Sequence, residues 1–440
     1  MRTSLFFFLV FSVFAAAQES TLLNLVVPKN PEINSGVNAA LNGENKTAEQ
    51  HFQKARLNEP GSRPGGIEAA SAFADSKNGK QDFSKMRFWL EKTAEDFPKD
   101  PEAFLLLADI AFSENRLVES SLLTEHAAGF IESGDAAKER LKNLTLQAEN
   151  LKADIAETRE KWEDALRSLQ LLHQLEPENG TYLYRLGIVY FRSGNRSEAE
   201  KLLNAAAAKD SHILPALVVL AQLSEYDGKR DEAKKLLNEA FQSETLQKNG
   251  EEQRVLIAAA DLALLWGQLD NAKKYAEKAK QLAPETVDAD IPLGIIALYE
   301  SDYASAEERF SAVNRSFPEN SRALAGLALS LCEQDDKQKL RRAFFIAKKG
   351  TELYPDSVDA QTTFAWVLFR ADALDEAEKI LRRLFENGEL NSPGGYYLAE
   401  VHLKQNRKDE AMIFLKSALE SDVSFPKRAA AEALMKKISE

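Results

Sequence analysis

Apolar residues recur along most of the chain at spacings of three, four and seven, the period of a helix that buries one stripe. The period is clearest in residues 269–320, which run LDNAKKYAEKAKQLAPE and then TVDADIPLGIIALYESDYASAEERFSAVNRSFPEN. Ala272 and Ala306 stand 34 residues apart, as do Pro284 and Pro318, with Leu293-Gly294, Tyr299 and Phe310 between them. A self-similarity at this period predicts a two-helix unit repeated along the chain.

Aligned on a small residue early in the second helix, the units give Met86, Ser120, Ala165, Ala199, Ala233, Ala272, Ala306, Ala343, Ala377 and Ala411, and six of the nine intervals are 34. The remaining intervals (45, 39 and 37) are insertions that keep the phase. Small residues at positions eight, twenty and twenty-seven let two helix backbones approach and interlock. Gly194, Gly228 and Gly267 fall between the paired helices, where a positive φ is most easily supplied by glycine. Pro177, Pro284, Pro318 and Pro355 end second helices, because proline cannot continue the hydrogen-bond ladder. Asp231, Asp270 and Ser305 are expected to start them. One helix pair cannot bury its own stripe, so neighbouring units must stack.

These recurring residues resemble the tetratricopeptide repeat family over roughly residues 85–425. The resemblance implies an all-α fold, a right-handed α-solenoid of stacked antiparallel helix pairs. It also implies that ligands sit on a concave face built by the first helices. The matching positions here give Tyr184, Ile188, Phe191, Tyr226, Ile295, Tyr299, Trp366, Phe369 and Tyr396 as groove candidates, aromatic in unit after unit. Aromatic side chains are the usual anchors of protein interfaces, although at these positions they also pack between adjacent repeats. One variant of the family clamps acidic chaperone tails with Lys and Asn at positions five and nine. Here those positions hold Tyr184 and Ile188, Val218 and Gln222, and Ile291 and Ile295, so that activity is not carried over.

The ends of the chain differ from this pattern. Residues 1–17 carry Arg2, an apolar run from Leu5 to Phe14 and then three alanines, the three parts of a signal peptide that places the mature start at Gln18. The apolar run is too short to span a bilayer, which takes ~20 residues. Residues 18–84 contain VPKNPEINSG, LNGEN and NEPGSRPGG, a density of breakers that predicts a flexible N-terminal segment with one short helix at 47–57. Residues 426–440 are expected to form a capping helix over the last exposed stripe. The charged insertion EQDDKQKLRR falls at the helix–helix turn of the repeat at 321–355, and a basic cluster of Lys337, Lys339, Arg341, Arg342, Lys348 and Lys349 overlaps its end.

Composition narrows the function classes. The net charge of −13 gives no counterion-release advantage on phosphate backbones, so no nucleic-acid partner is expected. Cys332 is the one cysteine and lies in an apolar run, as a small buried hydrophobe does. The five histidines never fall at i,i+3 or i,i+4, so no metal site, and no cofactor, is proposed. No Ser/His/Asp or Cys/His constellation has supporting spacing, although acids such as Asp261 and Glu300 are available to pair. The expected function is a non-catalytic scaffold that binds a peptide or protein on the concave face in an exported compartment, periplasmic or secreted. The alternatives are a permanent structural component of an envelope or secretion assembly, and an enzyme with an unrecognised site.

Overall fold

The structure, a computed structural model, describes residues 30–58, 64–74, 82–133, 138–210, 213–243, 251–420 and 423–439. The expected signal peptide lies outside the described residues. Among the described residues there are 23 helices and no strand. They follow one another as α1 (Pro31–Leu41), α2 (Asn45–Asn58), α3 (Gly65–Ala74), α4 (Phe83–Asp96), α5 (Pro101–Ser113), α6 (Leu117–Ser133), α7 (Lys138–Thr158), α8 (Trp162–Leu175), α9 (Gly180–Arg192) and α10 (Arg196–Lys209). Then come α11 (Ala216–Tyr226), α12 (Arg230–Gln242), α13 (Glu252–Leu265), α14 (Leu269–Leu282), α15 (Asp290–Tyr299), α16 (Tyr303–Ser316) and α17 (Ser321–Cys332). The last are α18 (Lys337–Leu353), α19 (Val358–Arg370), α20 (Leu374–Glu386), α21 (Ser392–Lys404), α22 (Lys408–Glu420) and α23 (Arg428–Ser439). Contacts divide the described chain into two compact units, one ending at Ala216 and the other beginning at Leu217.

Each odd-numbered helix up to α21 is followed by an even-numbered partner, across a short turn in every pair whose connection is described. The small-residue series sits where these partners meet: Ala165, Ala199, Ala233, Ala272, Ala306, Ala343, Ala377 and Ala411 are all 0% exposed. The turn five residues earlier recurs in each of these units but that of Ala343, where residue 338 is already helical. Gly194, Gly228 and Gly267 have positive φ, and so do Asn115, Glu160, Ser301, Asp372 and Asn406 at the equivalent places. The αL turn thus recurs whether or not glycine is present, and a side chain there costs ~1–2 kcal/mol. The turn closes the helix end: Gly194 N–H reaches the Phe191 carbonyl and Asn195 N–H the Tyr190 carbonyl, both at 2.9 Å.

Phe310 shows how the pairs lock. It is 0% exposed, and a Cβ added to Gly294 on α15 or to Gly326 on α17 would lie 2.8 or 2.3 Å from its ring. The ring therefore fills a slot cut by glycine in its own first helix and in the next one.

The same lock exposes a correction near the N-terminus. Residues 18–84 were expected to be flexible, yet α1, α2 and α3 are helices, and Ala39, Ala48, Ile67 and Ala70 share a core with Met86, Trp89 and Leu106. The helix expected at 47–57 lies inside α2. Gly36, Gly43, Ala48 and Ala55 stand at the repeat offsets. Gly43 has a positive φ, and Gly36 and Gly65 face the Phe52 ring as Gly294 and Gly326 face Phe310. The array therefore begins one full repeat and one helix before the expected boundary. Gly36, Gly43 and Gly65, taken as breakers, are contact and turn residues of a repeat.

Two smaller expectations change. Asp231 and Asp270 lie inside the first turn of α12 and α14, where they complement the helix dipole, while the caps are Lys229 and Gln268. Asp302, not Ser305, caps α16, accepting from Ser305 N–H at 3.1 Å. The charged insertion is absorbed mainly as an extra turn of α18, capped by Asp336, with Lys339 and Arg342 bound to Glu307.

Candidate functional site

The nine groove candidates separate by unit and by burial. In the first unit, α9 carries Tyr184 and Ile188 in the core, and Phe191 is half-buried. In the second unit, Tyr226 ends α11 half-buried, and α15 carries Ile295 and Tyr299, also half-buried. Trp366 is only 3% exposed: it stacks on Phe369 and Tyr397 with centroids 4.8 and 4.2 Å apart, and its indole N–H donates to Glu333 Oε1 at 2.7 Å. Lys404 Nζ lies over the Phe369 ring, 5.1 Å from its centroid. Tyr396 is buried and donates to Glu400 Oε1 at 2.7 Å. Tyr184, Trp366 and Tyr396 are thus core side chains. Ile295 lines a cavity.

That cavity, of about 250 Å³, is walled by the first helices α15, α17, α19 and α21 together with Tyr303 and Phe310 of α16. Its apolar side is Ile295, Leu298, Phe310, Leu329 and Tyr397, and its polar side is Arg322, Asp359, Thr362 and Asn391. The polar groups are held by one another. Arg322 makes a two-pronged pair with Asp261 at 2.6 and 2.9 Å, which keeps its guanidinium charged despite burial. Asn391 Nδ2 donates to Asp359 Oδ1 at 2.8 Å, while burial raises the Asp359 carboxyl above its ordinary value. Asp261 and Glu300 do not pair with each other: Glu300 binds Lys273 at 2.7 Å.

A further side of the cavity is the chain's own C-terminal segment. The expected cap at 426–440 does contain a helix, α23, which packs on α22. The residues leading into it, however, return to first helices far earlier in the unit. Ser424 N–H donates to the Leu265 carbonyl at 3.3 Å, at the open end of α13. Tyr299 hydrogen-bonds with the Ser424 side chain, and burial pushes its hydroxyl up to about 12. Lys427 Nζ lies 2.9 Å from the Tyr303 hydroxyl and 3.1 Å from Glu333 Oε1, and Pro426 and Lys427 line the cavity.

Positions five and nine of the repeat at 321–355 are Ala325 and Leu329, both cavity-lining and absent from the sequence candidates. A small residue followed by Leu gives no aromatic signal. The offset itself was sufficient to find them.

A second cluster lies in the first unit. Arg185 on α9, with a side chain 5% exposed, reaches Asp154 at 2.6 Å, Glu157 at 2.9 Å and Asn150 Oδ1 at 3.2 Å, all on α7. Burial and Asp154 together push the Asp109 carboxyl up to about 7.

Among the described residues no His, Cys, Asp and Glu group of three or more is arranged to hold a metal ion, and no helix is long and apolar enough to cross a membrane. Cys332 is buried and its thiol is pushed far above the ordinary range.

Family models described as tetratricopeptide repeat match residues 158–223, 253–286, 291–345 and 362–429, together just over half of the chain. Among solved structures, a thermophilic TPR protein of Thermus thermophilus is 18% identical over 42% of this chain and 98% of that one, with a TM-score of 0.36. A tetratricopeptide repeat protein from Parabacteroides merdae is 16% identical over 67% of this chain and 99% of that one, at 0.35. Yeast Tom70 is 14% identical over 98% of this chain and 96% of that one, at 0.35.

Proposed function

The chain belongs to the tetratricopeptide repeat family, and on that premise we propose that it is a non-catalytic scaffold. It takes an extended segment of a protein partner against the first helices of its second unit, in an exported compartment. The observation that carries this reading is the cavity between α15, α17, α19 and α21, which joins an apolar side to a polar side. Apolar surface with a few fixed polar groups is what a peptide site needs for both affinity and register. Export rests on the residues of the leader, Arg2, the apolar run and the alanines.

The test uses decapeptides selected from a displayed library against the full chain. Ala325→Phe fills the cavity from α17. Selected peptides are expected to bind this variant at least tenfold more weakly, about 1.4 kcal/mol, with helical circular dichroism unchanged. Equal affinity for both proteins sinks the groove assignment.

A further inference from the structure

We infer that residues 424–427, Ser-Phe-Pro-Lys, are an intramolecular ligand of the groove, and that the external partner is a segment of the same chemistry: an aromatic residue followed two positions later by lysine. The inference rests on the proposed groove and adds what closes one side of it.

Residues 423–425 are neither helix nor strand, and Pro426 and Lys427 form the turn that leads into α23, closed by Arg428 N–H on the Phe425 carbonyl at 3.0 Å. The segment's main chain is recognised: Ser424 N–H takes the Leu265 carbonyl at the end of α13, where helix carbonyls have no partner within the helix. Gly267 lies beside it, and a Cβ there would stand 3.5 Å from Ser424. The aromatic ring is recognised too, because Phe425 is 4% exposed and belongs to the core cluster of Leu298, Trp366 and Tyr397. The ammonium meets a buried acceptor that it shares with Arg370, 3.5 Å from the other carboxylate oxygen. Glu333, with a side chain 7% exposed, is held by the Trp366 indole and receives Lys427 at 3.1 Å, while the Tyr303 hydroxyl lies 2.9 Å from the same ammonium.

These contacts reach far back along the chain, and the occupant is tethered between α22 and α23. A tethered ligand acts at ~mM effective concentration, so it lowers apparent affinity for a free peptide by the fraction of time the groove is open. A partner with a stronger segment of the same pattern displaces it.

The test measures fluorescence anisotropy of a labelled peptide covering residues 420–429 against the full chain. The double variant Phe425→Ala/Lys427→Ala is expected to bind this peptide at least tenfold more tightly than the wild type. The same peptide with alanine in place of its lysine is expected to bind the double variant at least tenfold more weakly. Lys427→Glu alone, which sets a carboxylate against Glu333 and leaves the Phe425 packing in place, is expected to give at least a threefold gain. Equal affinity for wild type and variants, indifference to the lysine, or no binding to any of them overturns the inference. The groove itself is judged separately by whether displayed peptides lose affinity for Ala325→Phe.

Discussion

Phe310→Ala is expected to cost the second unit about 3–5 kcal/mol of unfolding free energy, as large-to-small changes at fully buried aromatic sites do. The ring has no exposure and fills a slot cut by Gly294 on α15 and Gly326 on α17. The truncation removes the apolar contact and leaves a void between three helices. Backbones already in close contact have little room to collapse into it. The loss is read as a fall in the urea midpoint of the second unit, and a change below about 1 kcal/mol, on the same large-to-small scale, contradicts the lock. Because cooperativity in a repeat array is carried by neighbour contacts, the same substitution should broaden the transition.

Arg185→Leu is expected to cost the first unit about 3–5 kcal/mol near neutral pH, because removing one partner of a buried pair strands the other charges. Asp154 and Glu157 both lose their bonds to the guanidinium, and burial already raises both carboxyls above the ordinary range. Asp109 adds a further buried carboxyl, raised to about 7. A carboxyl whose folded pKa lies above its unfolded value holds a proton in the fold that the unfolded chain has lost. Stability therefore falls as pH rises from about 4, the ordinary value of an aspartate, through 7. The wild-type unit should accordingly be more stable at pH 5 than at pH 8, and the variant should lose most at pH 8 and recover on acidification. Parallel pH profiles for the two proteins refute this account of the cluster.

The sequence made the repeat legible because its constraints are local. A residue between two helix backbones must be small, and a turn between them must enter the left-handed region, whatever the partner. Those demands put Ala199, Ala272 and Gly194 at fixed offsets that survive insertions. Gly36, Gly43 and Ala48 obey the same offsets. They were hidden because asparagine and glycine around them raise the breaker density that marks a linker. The groove was less legible, because an aromatic at a first-helix position satisfies either core packing or ligand contact. Trp366 packs against Tyr397 and Phe369, while Ile295, Ala325 and Leu329 line the cavity. The placement of residues 424–427 depends on contacts reaching back to Leu265. No local pattern encodes contacts of that range, and the residues leading into α23 look from the sequence like the start of an end cap.

Photo-crosslinking from a reactive side chain at position 325 is the most direct test that the first helices of the second unit hold the partner. With a selected peptide bound, crosslinks are expected from position 325 to the peptide, and an excess of the peptide covering residues 420–429 should suppress them. Crosslinks to the peptide only from positions outside α15, α17, α19 and α21 would place the partner elsewhere and contradict the assignment.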